Sequence, residues 1–283
     1  MIPVVGLSGY LGLRRNYHLI LSDLKTMTDL QTLMKTALEI TELACKIPRG
    51  YFRSGFDIDH KEDESPVTIA DRETETFIRD ALGRHYPEHA IFGEEFGRDN
   101  IASEYEWIID PIDGTRSFVA GMPLYGMLLA LLKNEIPQLG ILRMPDLDEV
   151  YSGDGLSTTR NLSETLHCSR TTALDDAIVF INEGEKINRH NPALFGQLTS
   201  TGRVMRLGYD CYPHALLAAG KVDLVIDFDL KPYDFLPLIP IIQGAGGLIS
   251  DWQGKPLHMQ SDGAVISAAT VELQQKAIAI LSA

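Results

Sequence analysis

The chain has 283 residues, 45% of them hydrophobic and 23% charged, a balance that suits one large globular domain or two packed ones. Its formal net charge of −14 argues against nucleic acid or an anionic membrane surface as a partner, because phosphate-rich surfaces are met by basic stripes. Cys45, Cys168 and Cys211 make neither a disulfide framework nor a Cys-x-x-Cys zinc pair, and no apolar run is long enough to span a bilayer, so a cytoplasmic protein with reduced thiols is expected.

Residues 1–26 carry Arg14-Arg15 in a mildly apolar stretch without a small-residue cleavage site, which does not read as a signal peptide. Thr28 or Asp29 can cap the helix that follows, so 1–26 is expected to be an extension outside the fold. From Leu30 to Ile47 the apolar residues keep helical spacing. Tyr51 to Asp63 is polar and reads as a hairpin or loop, and Pro66 to Asp71 opens a second helix with Ala70, Thr74, Phe77, Ile78 and Ala81 on one face. Strands are predicted at Ala90–Gly93, Trp107–Asp110, Gly126–Lys133, Gln138–Arg143 and Glu149–Tyr151. After about Asn161 strands at Ala177–Asn182, Arg203–Arg206 and Val222–Phe228 alternate with helices at Asn191–Thr199 and Cys211–Gly220. Asp234–Gly244 is predicted helical, although Pro240 threatens an unpaired carbonyl or a bend. Strands at Gly247–Asp251 and Ala264–Ala268 and a last helix close the chain. The pattern predicts an α+β half over 27–160 and an α/β half over 161–283.

The run Trp107-Ile108-Ile109-Asp110-Pro111-Ile112-Asp113-Gly114-Thr115 is the densest in chemistry. Apolar residues lead into two carboxylates either side of a proline, so the backbone is expected to turn and let both side chains converge on one point. Oxygen donors of this kind suit hard cations such as Mg²⁺. Gly114-Thr115 then starts a helix, whose free N–H groups can face an anion. Upstream, Ala90-Ile91-Phe92-Gly93-Glu94-Glu95 ends another short strand in paired acids, and downstream Lys231-Pro232-Tyr233-Asp234 places an acid at an element boundary.

These three blocks, with Val67-Thr68-Ile69-Ala70-Asp71 ahead of them, resemble the inositol monophosphatase superfamily of Mg²⁺-dependent phosphatases from about Met27 to the C-terminus. The resemblance implies a layered αβαβα sandwich. It also implies that Glu94, Asp110 and the carbonyl of Ile112 hold one Mg²⁺, and that Asp110 bridges to a second held by Asp113 and Asp234. Glu95 is implied in support of Glu94 or in a third ion, and Thr115 with Asp71 in orienting the attacking water. Gly114 and Thr115 would hold phosphate oxygens, and Lys61 falls where the family carries a basic residue. The partner implied is a small phosphorylated metabolite, and the assembly a homodimer.

Arg116-Ser117-Phe118-Val119-Ala120-Gly121-Met122-Pro123, Gly208-Tyr209-Asp210-Cys211-Tyr212 and Asp229-Leu230-Lys231-Pro232-Tyr233-Asp234 resemble the histidinol-phosphate phosphatases of this fold more than inositol-type members. L-histidinol phosphate carries an ammonium and an imidazole, so a pocket for it would offer carboxylates. Asp210 and Asp227, with Arg116, are the candidate substrate residues. An inositol-1-monophosphatase, a 3′(2′),5′-bisphosphate nucleotidase-like phosphatase and a non-catalytic metal- or phosphate-binding protein remain alternatives. Cys211, with no nearby base, is expected to serve packing.

Overall fold

The computed structural model describes residues 29–54, 58–60 and 66–282. The expectations for residues 1–26 and for Lys61 lie outside them. By contacts the chain divides into two units, Met1–Glu39 and Ile40–Ala283. Residues 29–44 are helical (α1), and Lys35 and Glu39 form an exposed i,i+4 pair within the first unit. Everything below concerns the second unit.

After α2 (Lys46–Tyr51), the strands β1 (Ile58–His60) and β2 (Pro66–Thr68) pair antiparallel. Pro66–Thr68 is therefore strand rather than the opening of a helix. Thr68 is instead the N-cap of α3 (Ile69–His85), in extended backbone, and it forms a capping box with Asp71. Proline and β-branched residues favour that extended entry, while Ala70, Thr74, Ile78 and Ala81 form the buried face downstream.

Eight strands form the first sheet: β3 (Ala90–Gly93), β4 (Gly97–Arg98), β5 (Tyr105–Asp113), β6 (Gly126–Lys133), β7 (Ile136–Met144), β8 (Glu149–Gly153), β9 (Thr158–Arg160) and β10 (Glu164–Thr165). Their order is β10-β9-β8-β7-β6-β5-β3-β4, with only β3 and β5 parallel. Trp107, Ile108 and Ile109 of β5 are fully buried at the centre of this sheet. Pairing with β6 runs in register to Asp110, breaks, and resumes at Asp113. The predicted turn is thus an irregularity within one strand, because Pro111 has no N–H to give to the ladder. The short α4 (Thr115–Val119) follows, capped by Gly114 at φ +88°.

Five strands form the second sheet, interleaved with helices: β11 (Ile178–Ile181), α5 (Gly184–His190), α6 (Pro192–Leu198), β12 (Val204–Leu207), α7 (Tyr212–Ala218), β13 (Leu224–Asp227), α8 (Pro232–Phe235), α9 (Leu238–Gly244), β14 (Leu248–Asp251), β15 (Val265–Ala268) and α10 (Val271–Leu281). The order is β12-β11-β13-β15-β14, and β12 and β13 flank β11 in parallel. The predicted helix 234–244 is two helices broken at Leu236-Pro237. Pro240 consequently sits in the first turn of α9, where a missing N–H is tolerated. The Leu236 carbonyl, which a residue with an N–H at 240 would have served, accepts instead from Ile239 N at 3.3 Å. No helix was expected at α5.

The layers follow from what each face buries. Apolar side chains of β6 and β7, of α7 and α9, and of β13 and β15 share one core between the sheets. Ile187, Leu198, Leu273 and Ala277 cover the far face of the second sheet, and Ala70 of α3 packs with Ile112, Phe118 and Tyr125 on the far face of the first. The result is the αβαβα sandwich. Among the described residues no helix is long and apolar enough to cross a membrane.

Candidate active site

The end of β5, the N-terminus of α4, the start of α8 and the carboxyl ends of β11, β12 and β13 surround one pocket. Among its lining residues are Glu94, Asp110, Ile112, Asp113, Gly114, Thr115, Arg116, Asp210, Asp227 and Asp234. Of the described residues predicted for the site, only Asp71 and Glu95 are not in this lining.

Ligand oxygens of Asp110, Asp113 and Asp234 all lie within 4.8 Å of one another. Each carboxylate is fixed by a backbone N–H. Asp110 Oδ1 accepts from Ile112 N at 3.1 Å, Asp113 Oδ2 from Cys211 N at 2.5 Å, and Asp234 Oδ2 from Lys231 N at 2.7 Å. The carboxyls crowd and repel one another, a penalty that a divalent cation would relieve. Burial, and then the neighbouring Glu94 carboxylate, raise Asp110 well above the usual carboxylate range. Burial and Asp210 do the same to Asp113, and burial and Glu94 raise Asp234 to about 7. An all-oxygen, acid-rich donor set that repels itself fits a hard divalent cation, and it fits neither zinc nor copper preferences for nitrogen and sulfur.

Beside this cluster Thr115 Oγ1 lies 3.2 Å from Asp71 Oδ1 and 3.2 Å from the Ile112 carbonyl. With one proton the hydroxyl serves one of them at a time, so the other contact can be given up to a water. Asp71 is fully buried, and its Oδ2 accepts from Thr68 N at 2.8 Å and Thr68 Oγ1 at 2.6 Å. Burial lifts it to about 6 against the pull of those two bonds, and Glu95 and Glu94 push in the same upward direction. Asp71 is thus a buried acid in the first turn of α3 rather than a solvated one.

The far wall carries further charge. Asp210 stands at φ +55°, and its Oδ2 takes the Ser117 hydroxyl at 2.5 Å. Burial raises Asp210 to about 6, opposed by that hydrogen bond and assisted by Glu183 and Asp227. Gly114 must be glycine for two reasons: its φ of +88°, and the Asp210 carboxylate lying where a Cβ would go. Asp227 is 2% exposed and heavily engaged. Its Oδ2 accepts from Asn182 Nδ2 at 2.7 Å and lies 3.1 Å from His214 Nε2, and its Oδ1 accepts from Phe228 N at 2.8 Å. Arg116 is exposed, 3.7 Å from Glu185 and 3.9 Å from Glu183.

Sequence reasoning missed Glu183, Lys186, Asp229, Lys231 and Tyr233 in this wall. Lys186 bridges Glu183 at 2.7 Å and Asp229 at 3.0 Å, and Lys231 reaches Asp229 at 3.2 Å. Asp210, Glu183 and Asp229 each follow the carboxyl end of one of three parallel-related strands and each has positive φ. Acids placed just past predicted strands were the available signal. Cys211 is buried against Gly126, and burial holds its thiol well above its ordinary range, as packing rather than nucleophilic duty requires.

Comparison with known proteins agrees with this fold. The model of the inositol monophosphatase family matches residues 29–283. The bifunctional phosphatase IMPL2, chloroplastic, of Arabidopsis thaliana is 36% identical over 89% of this chain and 75% of its own length. A histidinol-phosphatase of Chlorobaculum parvum is 34% identical over 82% of this chain and 90% of its own. The solved structure of an inositol monophosphatase from Zymomonas mobilis superposes with a TM-score of 0.80 at 37% identity, over 89% of this chain and 98% of that one.

Proposed function

The chain belongs to the inositol monophosphatase family of metal-dependent phosphatases, and from that premise we propose that it is a Mg²⁺-dependent phosphomonoester hydrolase acting on L-histidinol phosphate. When bound, Mg²⁺ polarises the phosphoryl group, acidifies the attacking water and steadies the leaving oxygen. Asp110, Asp113 and Asp234 would hold the ions, with Glu94 and the Ile112 carbonyl completing the set and Glu95 supporting Glu94 or a third ion. Thr115 takes a hydrogen bond from the attacking water and passes its own to Asp71, which orients the water without a covalent intermediate. The backbone of Gly114 and Thr115 holds phosphate oxygens.

The observation that favours histidinol phosphate is the charge of the wall away from the metal ligands. Glu183, Asp210, Asp227 and Asp229 line this wall with Arg116, Lys186 and Lys231, and Arg116 also faces Glu185, so carboxylates outnumber cations. A substrate with an ammonium reduces that excess; a neutral polyol does not. Asp210 is the best placed to meet that ammonium. Its Oδ2 takes Ser117, whereas both oxygens of Asp227 already accept from the protein. Asp227 then braces the wall, and Arg116 closes the mouth. The relatives named for histidinol phosphate support this reading, under which the chain would act in histidine biosynthesis.

Asp210→Asn tests the assignment with little disturbance, because asparagine tolerates left-handed backbone and keeps the shape. The preference for histidinol phosphate over glycerol phosphate, read as a ratio of kcat/KM, is expected to fall by about 1–3 kcal/mol of discrimination. An unchanged ratio would remove Asp210 from substrate selection. The second reading, inositol monophosphate as substrate, is favoured by the Zymomonas mobilis protein and predicts the opposite preference in the unmutated enzyme.

A further inference from the structure

Glu75 lies one turn beyond Asp71 on α3, fully buried, and outside the pocket lining. Its carboxylate sits beneath the turn that leaves β3. Oε2 accepts from Glu95 N at 2.7 Å and Oε1 from Phe96 N at 3.3 Å. Arg79, one turn further along the helix, donates Nε to Oε1 at 2.7 Å, and its guanidinium also bonds the Gly97 carbonyl. The residue before the turn is closed in as well, since a Cβ on Gly93 would fall on the Glu75 carboxylate.

Glu94 is the residue between these fixed points. Its own N–H donates to the Ile109 carbonyl of β5 at 3.1 Å, and the next N–H donates to Glu75. Asp110, Asp113 and Asp234 converge within 4.8 Å of one another, and Glu94 stands beside Asp110. Its approach is set by the backbone it rides on. A buried ion pair is a poor device for stability alone, because an apolar pair of similar volume usually serves as well. Donors reach both oxygens of Glu75, Glu95 N at Oε2 and Phe96 N with Arg79 Nε at Oε1, so an acceptor is needed at both positions, which a carboxylate supplies and an amide does not.

We infer that Glu75, held by Arg79, is a positioning residue that sets the place and direction of the Glu94 carboxylate for the divalent metal. This rests on the reading of Glu94 as a metal ligand. Glutamine at 75 keeps the volume but turns an NH₂ toward either the Glu95 N–H or the Phe96 N–H and Arg79, so the turn must shift. Small shifts of a ligand are costly to a preorganised site.

The test is Glu75→Gln in the full chain, with Mn²⁺ binding read by loss of the free-ion EPR signal and Mg²⁺ half-saturation read by phosphate release. Both constants are expected to rise about tenfold or more, while turnover at saturating Mg²⁺ recovers to within a few-fold of the parent. Arg79→Gln is expected to move both constants in the same direction by less, and the exposed Glu73→Gln not at all. Unchanged Mn²⁺ affinity in folded Glu75→Gln overturns the inference, as does lost turnover with unchanged half-saturation. If Glu75→Gln does not fold, unchanged Mn²⁺ affinity in Arg79→Gln overturns it. Glu94→Gln is measured in parallel: if it binds Mn²⁺ as the parent does, the ligand reading itself fails and the inference falls with it.

Discussion

At the scale of single residues, the site is a set of buried acids, three of which, Asp110, Asp113 and Asp234, are each fixed by a backbone N–H. Asp110 is the most exacting of them. It is buried, Glu94 is the neighbouring charge that raises it most, and as the proposed bridge it would serve both ions. Asp110→Asn keeps the volume and the Ile112 bond but removes the shared charge. Loss of about 4 kcal/mol or more of transition-state stabilisation is expected, roughly a thousandfold in kcat/KM. Steady-state phosphate release across a Mg²⁺ titration checks this, and full activity of the variant at low Mg²⁺ would contradict the bridging role.

At the scale of elements, function depends on where helices start. Thr68 caps α3, and through the same side chain it steadies Asp71. Thr68→Ala is expected to destabilise the fold by about 1–2 kcal/mol in urea denaturation, the usual cost of a lost cap. It also removes a hydrogen bond that holds the Asp71 carboxyl down, so the acid limb of the pH–rate profile is expected to move to higher pH. An unmoved limb would separate the cap from catalysis. Elements were legible in the sequence where burial and pattern agreed: Ala90–Gly93 and Gly126–Lys133 are continuous apolar runs, and both strands begin and end as the pattern predicts. They were illegible where a short polar segment gains its structure from tertiary partners. α5 has only Gly184 and Ile187 buried, and it opens on Glu183 in left-handed backbone without a side-chain cap. The prolines misled in a different way. Pro66 reads as a helix opening but begins a strand, and Pro240 reads as a fault in a long helix that is in fact two short ones. The clustered acids were legible because they stand in short motifs at element boundaries, Asp113 at the end of β5 and Asp234 in the first turn of α8. Glu75 was not, because a glutamate inside a helix looks like any solvated one until its burial is known.

At the scale of the whole molecule, the pocket stores a charge problem that the metal solves. Asp71 and Asp210 near 6, Asp234 near 7, and Asp110 and Asp113 well above the usual range all keep protons that the unfolded chain has released by about pH 4–5. The native state then binds more protons than the unfolded state over this window, so metal-free stability falls as pH rises from about 4 through about 7. Bound Mg²⁺ favours the ionised forms and reverses the trend. The thermal midpoint of chelated protein is therefore expected to be lower at about pH 7.5 than at about pH 5, and the gain on adding Mg²⁺ to be larger at the higher pH. A metal-free midpoint that climbs over that range would mean that these acids are compensated from within the protein. The central claim is the union of this metal site with a wall suited to a cationic phosphoester. It is tested most directly by measuring kcat/KM for L-histidinol phosphate, inositol 1-phosphate and adenosine 3′,5′-bisphosphate, with Mg²⁺ and with chelator. The account predicts that histidinol phosphate leads and that all turnover ceases without the metal; a lead for inositol phosphate, or turnover that survives chelation, would contradict it.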